Sequence, residues 1–316
     1  MIYIIGSGYM ATEYSKVLTS LNLDYTVLGN GERSCEKFKV TTGKISLTYG
    51  IEKIKSFNNN DALIVAVPAI KLCSVTRSLL RKGAKKILLE KPGALSSNDL
   101  FLLKEAAEEA DAKILVGYNR RFYSSVIQAL KIIKEDGGII SCSFDFTEWS
   151  DEIISLGKNQ LELDTWVIAN SSHVIDLAFY LIGSPRSLSS NTTGCLDWHA
   201  CASTFAGSGI SENGILFNYQ ANWDSAGRWA LELHTKLRKL IFRPLEELKM
   251  ITRGSLEETI VESNFVDLDK SFKPGLYRQT KAFLDSDFKI LKSIDQQVSF
   301  LEICEKIAGY KRLTDE

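Results

Sequence analysis

Gly6, Gly8 and Ala11 fall at the spacing G-x-G-x-x-G/A in Gly6-Ser7-Gly8-Tyr9-Met10-Ala11. In such a loop the first glycine permits a tight turn. The second lets the backbone approach a pyrophosphate, and a small third residue lets helix pack on strand. The phosphates then sit at the positive end of the helix and accept hydrogen bonds from its free N–H groups. Gly6, Ser7, Gly8, Tyr9 and Met10 are therefore expected to hold a dinucleotide. An NAD-preferring domain usually closes its second strand with Asp or Glu, whose carboxylate accepts from the adenosine ribose hydroxyls. Here Gly29 and Asn30 stand there, followed by Gly31-Glu32-Arg33-Ser34. Asn30, Arg33 and Ser34 suit the extra ribose phosphate of NADP(H), because a guanidinium and a hydroxyl both donate to phosphate oxygens. NADP(H) is the preferred expectation; NAD(H) stays open, since Glu32 can fold back onto a ribose. Val67 and Pro68, which end the apolar run Ala62 to Pro68, are assigned to the same cofactor.

Leu89-Glu90-Lys91-Pro92 resembles the glucose–fructose oxidoreductase and inositol dehydrogenase family, Gfo/Idh/MocA. The glycine loop, Gly117-Tyr118-Asn119-Arg120-Arg121-Phe122, and Ser172-His173-Val174-Ile175-Asp176 before an apolar helix and Gly183 extend the resemblance over essentially the whole chain. It implies that Glu90 and Lys91 lie beside the nicotinamide, with Lys91 touching cofactor and substrate hydroxyl, and it admits a cis Lys91-Pro92 peptide. It makes His173 the helix-borne catalytic histidine of the second domain, and it gives Asn119 and Arg121 to cofactor and substrate. The chemistry is coherent: an imidazole titrates near neutrality and can exchange a hydroxyl proton. A lysine at the carboxyl end of a parallel strand stands where ligands bind in open α/β sheets. Tyr118 and Trp166 are candidate pocket walls, and Asn170 and Asp176 are candidate polar contacts to substrate.

One position departs from the family pattern. Many members carry Asp four residues before the histidine, and here that residue is Ala169. Asn170 is adjacent but rotated by roughly 100° on an ideal helix, and it cannot carry a proton as a carboxylate does. Either Lys91 is the main acid/base or the chemistry differs. The resemblance implies hydride transfer between a nicotinamide and a hydroxyl or keto carbon of a sugar, sugar nucleotide or polyol. A redox-assisted glycoside hydrolase or lyase with tightly bound cofactor, and a non-catalytic NADP-binding sensor, are the alternatives.

The elements that position these residues follow from periodicity. Apolar strands at Met1 to Ile5, Asp24 to Leu28, Ile45 to Tyr49, Asp61 to Val67, Lys86 to Glu90 and Ile114 to Gly117 are expected. Helices are expected at Met10 to Leu21, Ile70 to Lys82 and Ser97 to Ala110. Continuous apolar strands separated by helices predict a doubly wound parallel sheet of Rossmann type over residues 1–118. After a helix at Ser124 to Glu135, strands are predicted at Ile139 to Trp149, Ser187 to Phe205, Gly214 to Trp223, Ala230 to Phe242 and Glu257 to Phe265. Helices are predicted at Trp166 to Leu181, Leu276 to Ser286 and Gln296 to Gly309. Residues 119–316 thus read as an α+β substrate-binding and oligomerisation domain with a mostly antiparallel open sheet.

In the 316 residues, 38 Lys and Arg balance 39 Asp and Glu. Such a balance gives no broad attraction to nucleic acid or an anionic membrane, so the expected partner is a carbohydrate-like small molecule. No leader is visible and no run approaches the roughly 20 apolar residues of a membrane span, so a cytoplasmic protein is expected. The six cysteines, lacking Cys-x-x-Cys or a neighbouring His at zinc spacing, are read as reduced, buried packing residues with no metal. His199 and Cys201 are two apart and would share a strand face; His199 and His234 are read as structural strand residues. The resemblance further implies a homodimer or homotetramer, and strands such as Ile215 to Trp223 are expected to expose aromatic or aliphatic groups on an open face.

Overall fold

Six short strands pair in parallel in the order β3-β2-β1-β4-β5-β6: β1 Ile2–Ile5, β2 Tyr25–Leu28, β3 Ser46–Leu47, β4 Ala62–Val65, β5 Lys86–Glu90 and β6 Lys113–Gly117. This is the strand order of a dinucleotide-binding sheet, with the order reversing between β1 and β4. In the computed structural model, which describes residues 1–263 and 266–310, every residue of β4 is buried. Its Ala-Leu-Ile-Val run accordingly lacks alternation, because both faces are covered. Helices Tyr9–Ser20, Ala69–Arg81 and Ser97–Glu109 connect the strands. The strand Lys292–Ser293 pairs antiparallel with β6.

The second sheet has eight strands: β7 Ser141–Asp145, β8 Pro185–Thr193, β9 Thr204–Ser211, β10 Leu216–Asn222, β11 Ala230–His234, β12 Arg238–Phe242, β13 Lys249–Thr252 and β14 Thr259–Ile260. Its order is β14-β13-β12-β11-β7-β10-β9-β8, antiparallel throughout except that β10 lies parallel to β7. Phe144, Phe217, Tyr219 and Leu231 are buried on the same sheet, and Phe144 and Phe217 meet Phe179 of the helix Ser172–Ile182 edge to face, at 5.8 and 5.3 Å.

Several expectations need correction. Ser187 to Phe205 is not one strand but parts of β8 and β9 around a loop, and Ala230 to Phe242 is the hairpin β11–β12. Runs of strand-forming residues hide a turn when it lacks a glycine–asparagine signal. Only Thr259–Ile260 of the Glu257 to Phe265 segment is a strand, and Phe265 lies outside the described residues. Helix Glu32–Thr42 covers a stretch to which no element was assigned. His199 and Cys201 lie outside the strands, the first buried and the second exposed, so they share no strand face. Cys195 is also exposed, while Cys35, Cys142 and Cys304 are buried. On β10 the aromatic residues Phe217 and Tyr219 point inward, and the exposed positions are Leu216, Asn218 and Gln220. That face is largely polar.

The chain divides into two compact units. Met1–Asn119 with Leu268–Ser299 makes the first; Arg120–Asp267 with the stretch from Phe300 makes the second. The division after Asn119 falls one residue past the expected boundary. Leu268–Ser299, assigned by sequence to the second domain, belongs to the first unit, where Leu276–Leu284 packs on the helix Tyr9–Ser20.

Candidate active-site residues in two units

In the first unit the glycine loop turns out of β1 directly into the helix Tyr9–Ser20. Gly6 has φ +114°, and a Cβ there would lie 2.4 Å from the Ala66 carbonyl oxygen, so only glycine fits. A Cβ on Gly8 would meet nothing within 4 Å. Gly8 caps the helix without a side-chain hydrogen bond, so the open space lies against uncapped N–H groups. This combination fits a pyrophosphate. Tyr9 is exposed and Met10 half-buried at the helix start, while Val67 and Pro68 lead into the helix Ala69–Arg81.

The loop is tied to the end of β2. Ser7 Oγ donates to Ser34 Oγ at 2.9 Å, and Ser34 Oγ donates to the Gly31 carbonyl. Ser46 Oγ donates to Cys35 Sγ at 3.4 Å. A Cβ at Gly29 would lie 2.3 Å from Cys35 Sγ and 2.7 Å from Ser46 Oγ. No acidic side chain can occupy that position unless the thiol moves. Asn30 and Arg33 are exposed beside it.

Lys91 follows β5 through a cis peptide to Pro92. Glu90, buried, accepts from Tyr14 Oη at 2.6 Å, and Gln279 Nε2 donates to that hydroxyl at 3.0 Å. Burial pushes the Glu90 carboxyl above the ordinary carboxylate range, against the opposing pull of Tyr14, Lys91 and Lys273. Tyr118, only 1% exposed, has its hydroxyl accepting from Gln297 Nε2 at 3.0 Å. Gln297 Nε2 also donates to the Pro92 carbonyl, and Asn119 Nδ2 donates to the Pro274 carbonyl at 2.8 Å.

In the second unit, Arg121 grips Asp176 through two bonds, Nε to Oδ2 at 2.8 Å and Nη2 to Oδ1 at 2.7 Å. Both residues are buried. The two candidate substrate contacts thus face each other. Trp166 is buried edge to face with Trp198. His173 is buried at the start of its helix, its ring 6.2 Å from Trp229. Val167–Ser171 forms a π-helical turn just before it, so the ideal 3.6-residue geometry assumed for Ala169 and Asn170 does not hold. Asn170 Nδ2 donates to Glu148 Oε1 at 2.9 Å.

Glu148 is a residue that motif reading missed. A signal existed in the spacing: Glu148 follows Phe144 and Phe146 at intervals of two, and all three are buried, though β7 itself ends at Asp145 and Thr147 is buried with them. Tyr14, likewise missed, carries no comparable signal, since its partner Glu90 is 76 residues away. His199 has a structural place: its ring nitrogens lie 2.7 Å from the Ala202 carbonyl and 2.9 Å from Tyr310 Oη. That hydroxyl in turn accepts from the Val167 N–H. Among the described residues no cluster of His, Cys, Asp and Glu could hold a metal ion, and no helix is long and apolar enough to cross a membrane.

Residues 1–118 match the oxidoreductase family GFO_IDH_MocA, NAD-binding Rossmann fold. The likeness to the Gfo/Idh/MocA family is thus carried by the first 118 residues. Glucose-6-phosphate 3-dehydrogenase of Bacillus subtilis is 28% identical over 198 residues, 58% of this chain and 54% of that protein. The scyllo-inositol 2-dehydrogenase (NADP(+)) of the same organism is 22% identical over 191 residues, 60% of this chain and 53% of the relative. The alignments thus span about half the length of these curated relatives. A dehydrogenase structure from Clostridium difficile superposes with a TM-score of 0.78 over 98% of this chain and 99% of that one, at 18% identity, a likeness of fold.

Proposed function

We propose that this chain is a Gfo/Idh/MocA-type NAD(P)-dependent dehydrogenase or reductase acting on a hydroxyl or keto carbon of a sugar, sugar nucleotide or polyol. The observation that carries the reading is the first unit's ligand edge. There Gly8 opens onto uncapped helix N–H groups, and Lys91 leaves the carboxyl end of β5 in the same parallel sheet. Relatives named for glucose 6-phosphate and scyllo-inositol support a polyhydroxylated substrate.

When bound, the nicotinamide accepts or returns the hydride. Lys91 holds the substrate hydroxyl and moves its proton, and His173 is the second proton-handling group, since an imidazole can both give and take a proton. The preferred cofactor in this reading is NADP(H). Gly29 brings no ribose-binding carboxylate to the end of β2, and Arg33 and Ser34 offer donors to a phosphate.

Titration of the purified protein with NADPH and NADH, followed by nicotinamide emission, tests this reading. Tighter NADPH binding, weakened in Arg33→Ala while NADH binding holds, is the expected result. Equal loss of both cofactors would remove Arg33 from the phosphate. If folded protein free of carried-over cofactor bound neither, the dehydrogenase reading would fall.

A further inference from the structure

Ala169 brings no polar side chain to the turn before His173, yet a buried carboxylate reaches that turn from another element. Glu148, 1% exposed, follows β7. Its Oε1 accepts from Ser171 Oγ at 2.7 Å and from Asn170 Nδ2 at 2.9 Å. Its Oε2 accepts from Arg228 Nη1 at 2.7 Å. One oxygen therefore braces the π-helical turn Val167–Ser171, whose last residue is two before His173. The other fixes Arg228, whose guanidinium carbon lies 4.8 Å from the Trp229 ring centroid. Trp229 is in turn the ring 6.2 Å from the His173 imidazole.

We infer that Glu148 is a positioning residue for His173, setting the imidazole's orientation by anchoring both the backbone turn that carries it and the aromatic plate beside it. The inference rests on the reading of His173 as a proton-handling group.

Three features distinguish this carboxylate from a packing group. Taking a carboxylate out of water costs several kcal/mol, and burial pushes the Glu148 carboxyl above its usual range despite Ser171, Arg228 and Asn170. An apolar side chain would fill the same space without that cost. A π-turn is uncommon and clusters at functional positions, and here the acid accepts from two of its five residues. Both oxygens are engaged, so the carboxylate cannot rotate without releasing either the turn or Arg228.

The chain has three histidines, so imidazole carbon–proton spectra of the intact protein resolve the effect, with His173→Ala assigning the peak. In Glu148→Gln the amide can accept at one oxygen only. The His173 resonances should shift, because the ring current of Trp229 depends steeply on ring orientation, while those of His234 on β11, which has no bond to the turn, stay in place. Ser171→Ala, which removes a single donor, should move the same peak by less and guards against a fold defect in the first variant. Unmoved His173 resonances in both folded variants would overturn the inference, as would an equal shift at His234. The catalytic reading fails separately: full turnover by His173→Ala would sink it whatever the spectra show.

Discussion

Glu90 and Glu148 are two buried acids with different supports. Glu90 takes its shortest side-chain bond from a neutral phenol, Tyr14 Oη at 2.6 Å, with Lys91 and Lys273 acting at longer range. Glu148 is held by a formal cation, Arg228, together with Ser171 and Asn170. In both, burial is the largest influence and raises the carboxyl's affinity for a proton. The first unit thus keeps its acid beside the residue proposed to do chemistry, in three consecutive positions, Glu90-Lys91-Pro92. The second unit builds its polar framework from partners 22, 23 and 80 residues away. The contrast teaches that activity should be separable from stability in the first unit and entangled with it in the second.

The largest effect tests the first half of that statement. Lys91 is half-buried at the end of a rigid strand, so Lys91→Ala should lower kcat by about 10²- to 10⁴-fold, the usual worth of a general acid or base. Cofactor affinity and thermal midpoint should hardly change. Unchanged turnover would take the proton role away from Lys91.

Next comes the ion pair of the second unit. Arg121 donates to both oxygens of Asp176, and removing one partner of a buried pair leaves an uncompensated charge. Arg121→Ala should therefore cost about 3–5 kcal/mol of unfolding free energy. The double replacement Arg121→Met with Asp176→Leu should recover most of that loss, since an apolar pair strands no charge. Denaturant unfolding of the three proteins gives the answer, and a double variant no more stable than Arg121→Ala would show that the site cannot accept apolar packing.

How much of this was legible in the sequence follows the same division. The turn after β1, the strand β4 and the strand–helix alternation were readable because each is a local pattern: a glycine at φ +114°, a fully buried apolar strand, a helix beginning at Tyr9. The helix Ser124–Glu135 stands at its predicted bounds for the same reason. The π-turn at Val167–Ser171 was not readable, since no residue type marks the extra residue of such a turn and its braces, Glu148 and Tyr310, come from far along the chain. Nor was the return of Leu268–Ser299 to the first unit, where Gln279 and Gln297 hold Tyr14 and Tyr118. A glutamine in a helix reveals nothing of its distant partner. Arg121 and Asp176 were each read as facing substrate, when opposite charges on separate segments had each other as the nearer answer.

The smallest effect returns to Glu90 and bears on why a neutral donor suffices there. Tyr14→Phe removes the hydroxyl that donates to Glu90 and accepts from Gln279, leaving two buried polar groups short of a partner at a cost of about 1–3 kcal/mol. The cost should depend on pH. Glu90 has a raised folded-state pKa, with Tyr14 among the influences lowering it, so the variant's carboxyl binds its proton still more tightly. For such a group the folded state's advantage is complete below the unfolded carboxyl pKa and is lost as pH rises through the folded value. The stability gap between variant and parent should therefore be small in acid, where Glu90 is neutral in both, and widen as pH climbs past the ordinary carboxylate range. A gap constant with pH would mean that the phenol contributes packing alone and does not hold the charge of Glu90.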